Sequence, residues 1–446
     1  MGSFGSMLTA VAGLRAQSFA MQNISGNIAN SSTPGFKRVD TGFADLIPEQ
    51  PLSRQVAGSV SAFSRATNTL SGEFLPTNLD TNIAINGDGF FAVGQRPVQT
   101  TTIVRPSPEL YTRRGDFELD RLGYLVNGAG YALRGTMLDR VTGLPQPSAN
   151  GGFIQISQEL LGRLDPSPTT DVTYNVTLPN TAGTTDSAAN AAWGDQINPA
   201  AQDGAGNIPL ANNTAFLRSS LGGGSVTVYN SVGAIESMNL RWAKVAPNTW
   251  DLFYESNTGG DAWRRIGGPG AFAFDATGAP TAPAGGTLSV GGIVQINGVD
   301  YQDMTFDFGD SLAQLTGTTV QPSFLDQNGY GVGRYDGVSI SEDGVVSISY
   351  TNGQVTPVAE VDVVGFYAPN ALRRVDGGAF EATRESGDPS VAFARGTVMS
   401  GGIESSNTDI SEEFAKMIVT QQAYTANTRV ISTAQEMIRD VLNVVR

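Results

Sequence analysis

The chain of 446 residues contains no cysteine and no histidine. Without cysteine it can form no disulfide, no Cys-ligated zinc or iron–sulfur centre and no thiol nucleophile. Without histidine it lacks the commonest metal ligand, and Ser–His triads and His-based acid–base catalysis are excluded. Carboxylate-pair and Lys-based chemistry remain open, but there are only three lysines, Lys37, Lys244 and Lys416, and no carboxylate pair stands out. We therefore predict a protein that is not an enzyme, with no catalytic residues, no cofactor and no metal.

Charged residues make up only 15% of the chain, and acidic ones dominate, which gives a formal net charge of −15. This excess argues against a nucleic-acid backbone or an anionic lipid surface as the main partner, because both attract basic surfaces. No run approaches the roughly 18 apolar residues that a membrane-spanning helix needs. The first residues, MGSFGSMLTAVAGLRAQ, do not resemble a cleaved secretory signal. We expect no nucleic acid, no membrane insertion and, if the protein leaves the cell, export by another route.

The middle of the chain has the pattern of β-structure. Short apolar runs alternate with Asn-Gly and Asp-Gly pairs, which are strong hairpin signals. Such pairs occur at residues 86–87, 88–89, 127–128, 343–344 and 352–353. The sequence therefore predicts a mainly β fold, with a body of sandwich or barrel type.

Both chain ends have a helical period instead. Residues 4–29 carry an apolar stripe with seven-residue spacing, formed by Met7, Leu14, Met21 and Ile28, with Phe4 and Val11 as companions. Between Ile403 and Arg446 there is no glycine or proline. A second stripe there consists of Ile410, Met417, Tyr424, Ile431, Ile438 and Val445, and it is broadened by Phe414, Ile418, Val430, Met437, Val441 and Leu442. We predict two terminal helices that pair as a coiled-coil-like core.

The start and the polar positions of the C-terminal helix are also predicted. Asp409, with Glu412 three residues later, resembles a capping box, so the helix should span about 409–445 and measure roughly 55 Å. The companion positions Gln421, Thr428 and Gln435 are polar, so the helix is not a simple two-stranded zipper. Its apolar face exceeds what one helix can cover, which predicts that other copies of the chain cover the rest.

The order of these sequence patterns along the chain predicts the domain organisation. Residues 1–30 and 405–446 should form a terminal helical core, and residues 31–75 an extended connector. Residues 76–145 and 326–404 should form a central β-domain, and residues 146–325 an inserted outer β-domain containing a long surface loop at 180–215. Such nesting brings both chain ends to one pole of the molecule.

The turn after the first helix has two interpretations. Pro34 disfavours a helical residue before it and Gly35 permits a left-handed turn, so Asn30 to Lys37 could simply end the helix. Alternatively Phe36, an apolar residue in a polar connector, docks onto a neighbouring surface. We include Asn30, Gly35 and Phe36 with the stripe residues as candidate self-assembly residues and leave both interpretations open.

Two other patterns carry little weight. The segment 329–333 has glycines at alternate positions, but it lacks the spacing and the strand–helix context of a dinucleotide loop. The carboxylates Asp303, Asp307 and Asp310 lack the spacing of an EF-hand loop. A β-turn and solvated turn carboxylates are the better interpretations.

Several long motifs together resemble those of bacterial flagellar rod and hook proteins. The segment NIANSSTPGFKR at 27–38 is similar to the N-terminal signature of that family. Similar to its shared β-motifs are INGDGFF at 85–91, YTRRG at 111–115 and GYLVN at 123–127. The stretch ESSNTDISEEF at 404–414, followed by QQAY at 421–424, is similar to its C-terminal signature. The long inserted domain and the Ser-Glu-Glu-Phe form resemble hook subunits more than the shorter rod proteins.

The resemblance implies a structural subunit that self-assembles into the flagellar hook, a flexible tubular joint that transmits torque from motor and rod to filament. It implies an extracellular place in the flagellum, export through the flagellar type III secretion channel without signal cleavage, and polymerisation with identical copies. The implied neighbours are the rod, the hook cap and the hook–filament junction proteins. Two alternatives stay open: a distal rod or hook-associated structural protein, and, more distantly, a secreted carbohydrate-active β-protein.

Overall fold

The computed structural model describes residues 3–46, 59–96, 109–140, 142–146, 152–183, 196–197 and 202–444. The chain divides into two compact units. Unit 1 contains residues 1–161, 336–349 and 355–446, and unit 2 contains residues 162–335 and 350–354. The second unit is thus an insertion, and its bounds differ from the 146–325 expected from composition.

The secondary structure follows the chain in three stretches. The first comprises α1 (Ser3–Ala29), β1 (Val39–Leu46), β2 (Ser59–Ala66), β3 (Phe74–Pro76), β4 (Ile83–Asn86), β5 (Phe90–Gln95), β6 (Leu110–Thr112), β7 (Phe117–Leu119), β8 (Leu125–Asn127), β9 (Tyr131–Leu133), β10 (Gly135–Leu138) and β11 (Pro145–Gln146). The second comprises β12 (Arg163–Leu164), β13 (Asp171–Pro179), β14 (Ile208–Pro209), α2 (Asn213–Ser219), β15 (Leu221–Tyr229), β16 (Ile235–Ala246), β17 (Thr249–Thr258), β18 (Asp261–Ile266), β19 (Phe272–Phe274), β20 (Pro280–Ala282), β21 (Thr287–Ser289), β22 (Val294–Ile296), β23 (Val299–Tyr301), β24 (Thr305–Asp307), β25 (Ala313–Leu315) and β26 (Gln321–Gln327). The third comprises β27 (Gly333–Ile340), β28 (Val345–Tyr350), β29 (Val355–Val361), β30 (Val363–Val364), β31 (Arg373–Val375), β32 (Ala379–Glu381), β33 (Thr397–Ser400), β34 (Gly402–Glu404) and α3 (Ile410–Val444). The predicted class, mainly β with helical ends, is confirmed.

Unit 2 is a β-structure around an aromatic core. Strands β15 to β18 form an antiparallel meander, and β13 pairs with β24, β25 and β26 in a second sheet. The buried rings of Trp242, Phe272 and Phe308 meet edge to face, with centroids 4.7 Å apart for Trp242 and Phe272. The Trp242 indole N–H donates to the Tyr174 hydroxyl at 3.0 Å, so this buried donor is paired inside the core.

The β-body of unit 1 is built from short antiparallel strands. Strands β31, β32, β6, β5, β9, β8 and β7 lie side by side in that order, over a buried cluster of Phe90, Tyr111, Phe366 and Phe380. The predicted turn at Asn127 is present, and its side-chain oxygen accepts hydrogen bonds from the backbone of Ala129 and Tyr131. Two further pairs, β3 with β34 and β4 with β33, bring residues 397–404 beside residues 74–86.

The expected extended connector at 31–75 contains regular structure instead. Strands β1 and β2 form an antiparallel hairpin in continuous register from Val39 opposite Ala66 to Leu46 opposite Ser59, and α1 packs against both strands. A Cβ at Gly42 would lie 2.6 Å from the ring of Phe63, so the glycine makes room for that cross-strand ring. Composition alone suggested a connector because residues 31–75 are rich in Ser, Thr, Pro and Gly.

The two terminal helices pack against each other in unit 1. Asn27 of α1 contacts Glu413 of α3, and Gly13 lies against Asn427, so the helices run antiparallel. The Asp409 carboxylate caps α3 by accepting hydrogen bonds from the backbone N–H of Ser411 and Glu412. With 35 residues, α3 is about 52 Å long.

Candidate assembly surface

The base of the helix pair is a buried ion cluster, formed by Lys37, Arg113 and Glu404. The Lys37 ammonium lies 2.5 Å from the Glu404 carboxylate, and the Arg113 guanidinium lies 3.2 Å from its other oxygen. These side chains are between 0 and 3% exposed. Two cations therefore share one anion in a region that water does not reach.

Backbone carbonyls balance the extra positive charge of the cluster. Lys37 also donates to the carbonyl of Leu70, and Arg113 donates to the carbonyls of Ile85 and Gly87. The backbone N–H of Gly72 donates to Glu404 at 2.7 Å. Burial lowers the pKa of the Lys37 ammonium, and the neighbouring Glu404 carboxylate opposes that shift. The cluster joins the segment after α1, the strand before α3 and the β-body at one point.

The turn between α1 and this cluster requires a glycine. Gly35 has a φ of +65°, and a Cβ there would lie 2.6 Å from the backbone of Arg113 and Arg114. The Gly35 N–H donates a hydrogen bond to the carbonyl of Glu404 at 2.7 Å, and the Asn30 side-chain amide donates one to the carbonyl of Gly26. The helix-ending interpretation of this turn is thus visible in the geometry. The Phe36 ring, half-buried, meets Arg374 of the same chain.

Two asparagines extend the junction along the helices. Asn27 pairs with the backbone of Val39 in both directions, at 2.8 and 3.0 Å, and also donates to the buried Glu413 carboxylate. Asn407 accepts from the backbone N–H of Arg38 and donates to the carbonyl of Leu70. Each amide therefore supplies both a donor and an acceptor to backbone groups of the segment that follows α1.

The inner face of the helix pair consists of small and polar side chains. In α1 the buried residues are Ala10, Gly13, Ala16, Ala20, Ile24 and Asn27, and the α3 residues on this face are Glu413, Thr420 and Ala434, which are buried, and Asn427, which is half-buried. The α3 set has a strict seven-residue spacing. The polar companion positions Gln421, Thr428 and Gln435 lie outside this inner face and are exposed in the single chain. Hydrophobic periodicity missed the inner face because its α3 residues are polar or small; the seven-residue spacing was the available signal.

Most of the candidate assembly residues lie at the edges of this inner face. Half-buried in the single chain are Met7, Val11, Leu14, Met21, Ile28, Asn30, Phe36, Met417, Ile431 and Ile438. Exposed are Ile410, Phe414 and Tyr424, whereas Gly35 is buried, and Val445 lies outside the described residues. The large apolar side chains of both helices are thus only partly covered by their own chain.

A further row of apolar side chains on α3 is exposed to solvent. Val419, Val430 and Met437 are 64, 45 and 52% exposed. Their spacings of 11 and 7 residues place them on one side of the helix. Together with Phe414 and Ile418 they leave α3 with an apolar surface of the kind that marks a protein interface.

The acidic side chains of the described residues show no metal-binding arrangement. Among them, no group of three or more acidic side chains is placed to hold a metal ion. Asp303 instead accepts a hydrogen bond from the Ser289 hydroxyl, and Asp307 accepts one from the backbone N–H of Gly309. No helix in the described part of the chain is long and apolar enough to cross a membrane.

Three segments of the chain match known protein families. Residues 7–37 match the family "Flagella basal body rod protein", residues 84–184 match "Flagellar hook protein FlgE/F/G D1 domain", and residues 399–444 match "Flagellar basal body rod FlgEFG protein C-terminal". The three matches include α1, part of the β-body and α3.

Relatives align over the whole chain. The chain is 28% identical over 452 residues to the flagellar hook protein FlgE of Brucella suis biovar 1, with all of both chains covered. It is 29% identical to FlgE of Escherichia coli K12, covering 97% of this chain and 98% of that protein. In fold it is similar to the Helicobacter pylori flagellar hook protein FlgE2, with a TM-score of 0.50 over 74% of this chain and 100% of that one, at 15% identity.

A β-body joined to a pair of terminal helices with uncovered apolar sides, together with these matches, defines an axial structural protein of the bacterial flagellum. Within that class, the chain belongs to the flagellar hook protein FlgE family.

Proposed function

We propose that this chain is a structural subunit of the flagellar hook, and that copies polymerise through α1 and α3 into a tube that transmits torque from rod to filament. The observation that carries this proposal is the outward apolar row Val419, Val430 and Met437 on a helix whose inner face is already occupied. Leaving such a row in water is unfavourable, and identical helices of other copies are the natural cover.

The division of α3 into two faces supports separate roles for them. The inner face, with Glu413, Thr420 and Asn427, binds α1 of the same chain through polar and close contacts. The outer apolar side is free for neighbouring copies. A subunit built this way keeps its own helix pair in one register while its outer contacts with neighbours adjust.

The buried ion cluster at the base of the helices supports transmission of force. Lys37, Arg113 and Glu404 tie both helix ends to the β-body through charge-assisted hydrogen bonds in a dry environment. The flexibility of the polymer then lies in the contacts between copies, because residues 39–46 and 59–66 form a packed pair of strands and not a loose connector.

The proposal includes partners and a route. The subunit contacts identical copies and, at the ends of the polymer, the rod, the hook cap and the hook–filament junction proteins. It reaches the flagellum through the flagellar export machinery without signal cleavage, and it performs no catalysis. The scarcity of charge, the absence of cysteine and histidine, and the helical termini are the features that support this.

Electron microscopy under salting-out conditions tests the proposal. We compare the full chain with a chain lacking residues 1–30 and 405–446. Tubular or curved polymers from the full chain alone are the expected result. Polymers from both chains would show that the helices are not the assembly surface, and monomers from both would count against a hook-like subunit.

A further inference from the structure

A pocket of about 240 Å³ lies beside the turn that follows α1. One wall is formed by residues of that turn, including Asn30, Thr33 and Phe36. The opposite wall is formed by the β31–β32 region, including Arg374 and the backbone of Gly377. The pocket thus joins the end of a terminal helix to the β-body of unit 1.

Arg374 is an exposed residue whose guanidinium lies over two aromatic rings in this pocket. Its guanidinium carbon lies 5.1 Å from the centroid of Phe36 and 5.9 Å from that of Phe380. Its neighbour Arg373 forms an ion pair with Glu381, and Arg114, which also lines the pocket, is paired with Asp116. Within the described part of the chain, no carboxylate lies within ion-pair distance of Arg374 and no acceptor is hydrogen-bonded to its guanidinium.

This arrangement leaves the N–H donors of the Arg374 guanidinium without a protein acceptor among the described residues. Phenyl rings attract a cation electrostatically, but they accept no conventional hydrogen bond, so the five N–H donors of the guanidinium remain available. A carboxylate is the group that satisfies such a fork with two parallel hydrogen bonds. The rings fix the position of the cation in advance, which lowers the entropy lost when a partner binds.

We propose that Arg374 binds a carboxylate side chain of a second copy of this chain when subunits assemble. The chain has 42 acidic against 27 basic residues, so surfaces brought together in a polymer are rich in carboxylates and poor in cations. An Arg without a carboxylate partner, placed at the junction of helix and β-body, has the complementary charge. The inference rests on the proposed function, because only assembly brings the second copy close.

The test uses the full chain and a matched pair of variants. Arg374→Glu removes the proposed contact, and Arg373→Glu makes the same charge change one residue away, at a side chain already paired with Glu381. Arg374→Lys keeps the charge but loses the two-pronged geometry. The readouts are the critical concentration for polymer formation, measured by sedimentation at several salt concentrations, and the thermal unfolding of the unassembled subunit.

We expect Arg374→Glu to raise the critical concentration about tenfold or more, Arg374→Lys to raise it less, and Arg373→Glu to leave it nearly unchanged. The wild-type advantage over Arg374→Glu should shrink as salt increases. All variants should unfold at nearly the wild-type temperature when unassembled.

Equal critical concentrations for Arg374→Glu and Arg373→Glu, in a wild type that polymerises, would overturn this inference and leave the proposed function intact. A clear drop in the unfolding temperature of Arg374→Glu alone would also overturn it, because Arg374 would then only hold Phe36 in place. Failure of the wild type to polymerise would contradict the proposed function itself, and this inference with it.

Discussion

The ammonium of Lys37 and the carboxylate of Glu404, 367 residues apart in sequence, form an ion pair that solvent does not reach. Arg113 shares the same carboxylate from a third segment. A buried ion pair is not in itself strong evidence for stability, because desolvation costs nearly as much as the attraction returns. The two buried cations, Lys37 and Arg113, have the same carboxylate, Glu404, as their counter-charge.

Replacing that anion by its isostere should therefore be severe. Glu404→Gln leaves Lys37 and Arg113 buried without a counter-charge, and we expect a loss of about 3–5 kcal/mol in the unfolding free energy of unit 1. Hydrogen exchange of amides in unit 1 measures this. All four tryptophans lie between residues 193 and 263, within unit 2, so their fluorescence serves as an internal control. Glu381→Gln, at the exposed Arg373 pair, should cost at most about 1 kcal/mol. A comparable loss in the two variants would contradict the prediction.

Two glycines of α1 should respond differently to alanine. Nothing lies within 4 Å of a Cβ at Gly26, so Gly26→Ala should stabilise the helix by about 1 kcal/mol. A Cβ at Gly13 would lie 2.9 Å from the Asn427 amide nitrogen, so Gly13→Ala should gain much less, since Asn427 must move. The double variant Gly13→Ala/Asn427→Ala should recover the gain. Thermal unfolding followed by far-UV circular dichroism checks this, and equal gains at both glycines would show that the close approach is unimportant.

The start of α3 should weaken in acid. Hydrogen bonds from Arg38 at 2.8 Å and from Lys416 at 3.0 Å hold the pKa of Glu412 below its ordinary value of 4.5. A carboxyl whose pKa is lowered by folding stabilises the folded state above its ordinary pKa, and this contribution disappears as the pH falls through the folded value. The unfolding-temperature difference between wild type and Glu412→Gln should therefore be full near pH 7 and shrink below pH 4.5. The side chain is half exposed, so 1 M salt should also reduce the difference at pH 7. A difference independent of pH would argue against this contact.

Assembly should depend on the outward apolar row. Val430→Asp places a charge on the exposed side of α3 without touching the inner face, and we expect loss of polymers with no change in the unfolding of the β-body. Gln435→Asp introduces the same carboxylate at an exposed position that is already polar, and it should assemble. Negative-stain electron microscopy separates the two. Normal polymers from Val430→Asp would remove this row from the interface.

The helical ends and the mainly β interior could be predicted from the sequence because each follows a local rule. The absence of glycine and proline after Ile403, together with Asp409 as a cap, predicts α3 at 409–445, and the structure has it at Ile410–Val444. The hairpin turn at Asn127 depends on neighbouring residues alone.

What could not be predicted depends on contacts between distant segments. Lys37, Arg113 and Glu404 each stand inside a recognisable motif, but no periodicity indicates that they meet. The inner face of α3 consists of polar or small residues because the partner helix lies close to it. A search for apolar periodicity therefore predicted the residues that flank this face and not the face itself. Whether the candidate assembly residues meet other copies remains a prediction.

The position of Glu404 in the chain gives the ion cluster a consequence in time. During synthesis, which runs from the N-terminus, Lys37 and Arg113 appear long before their carboxylate, which follows Arg113 by 291 residues. Until then, burying the two cations is unfavourable, so the central junction of unit 1 stays open in a partly made chain. A chain that has not yet reached Glu404 therefore lacks the ion cluster that fixes the end of α1 to the β-body.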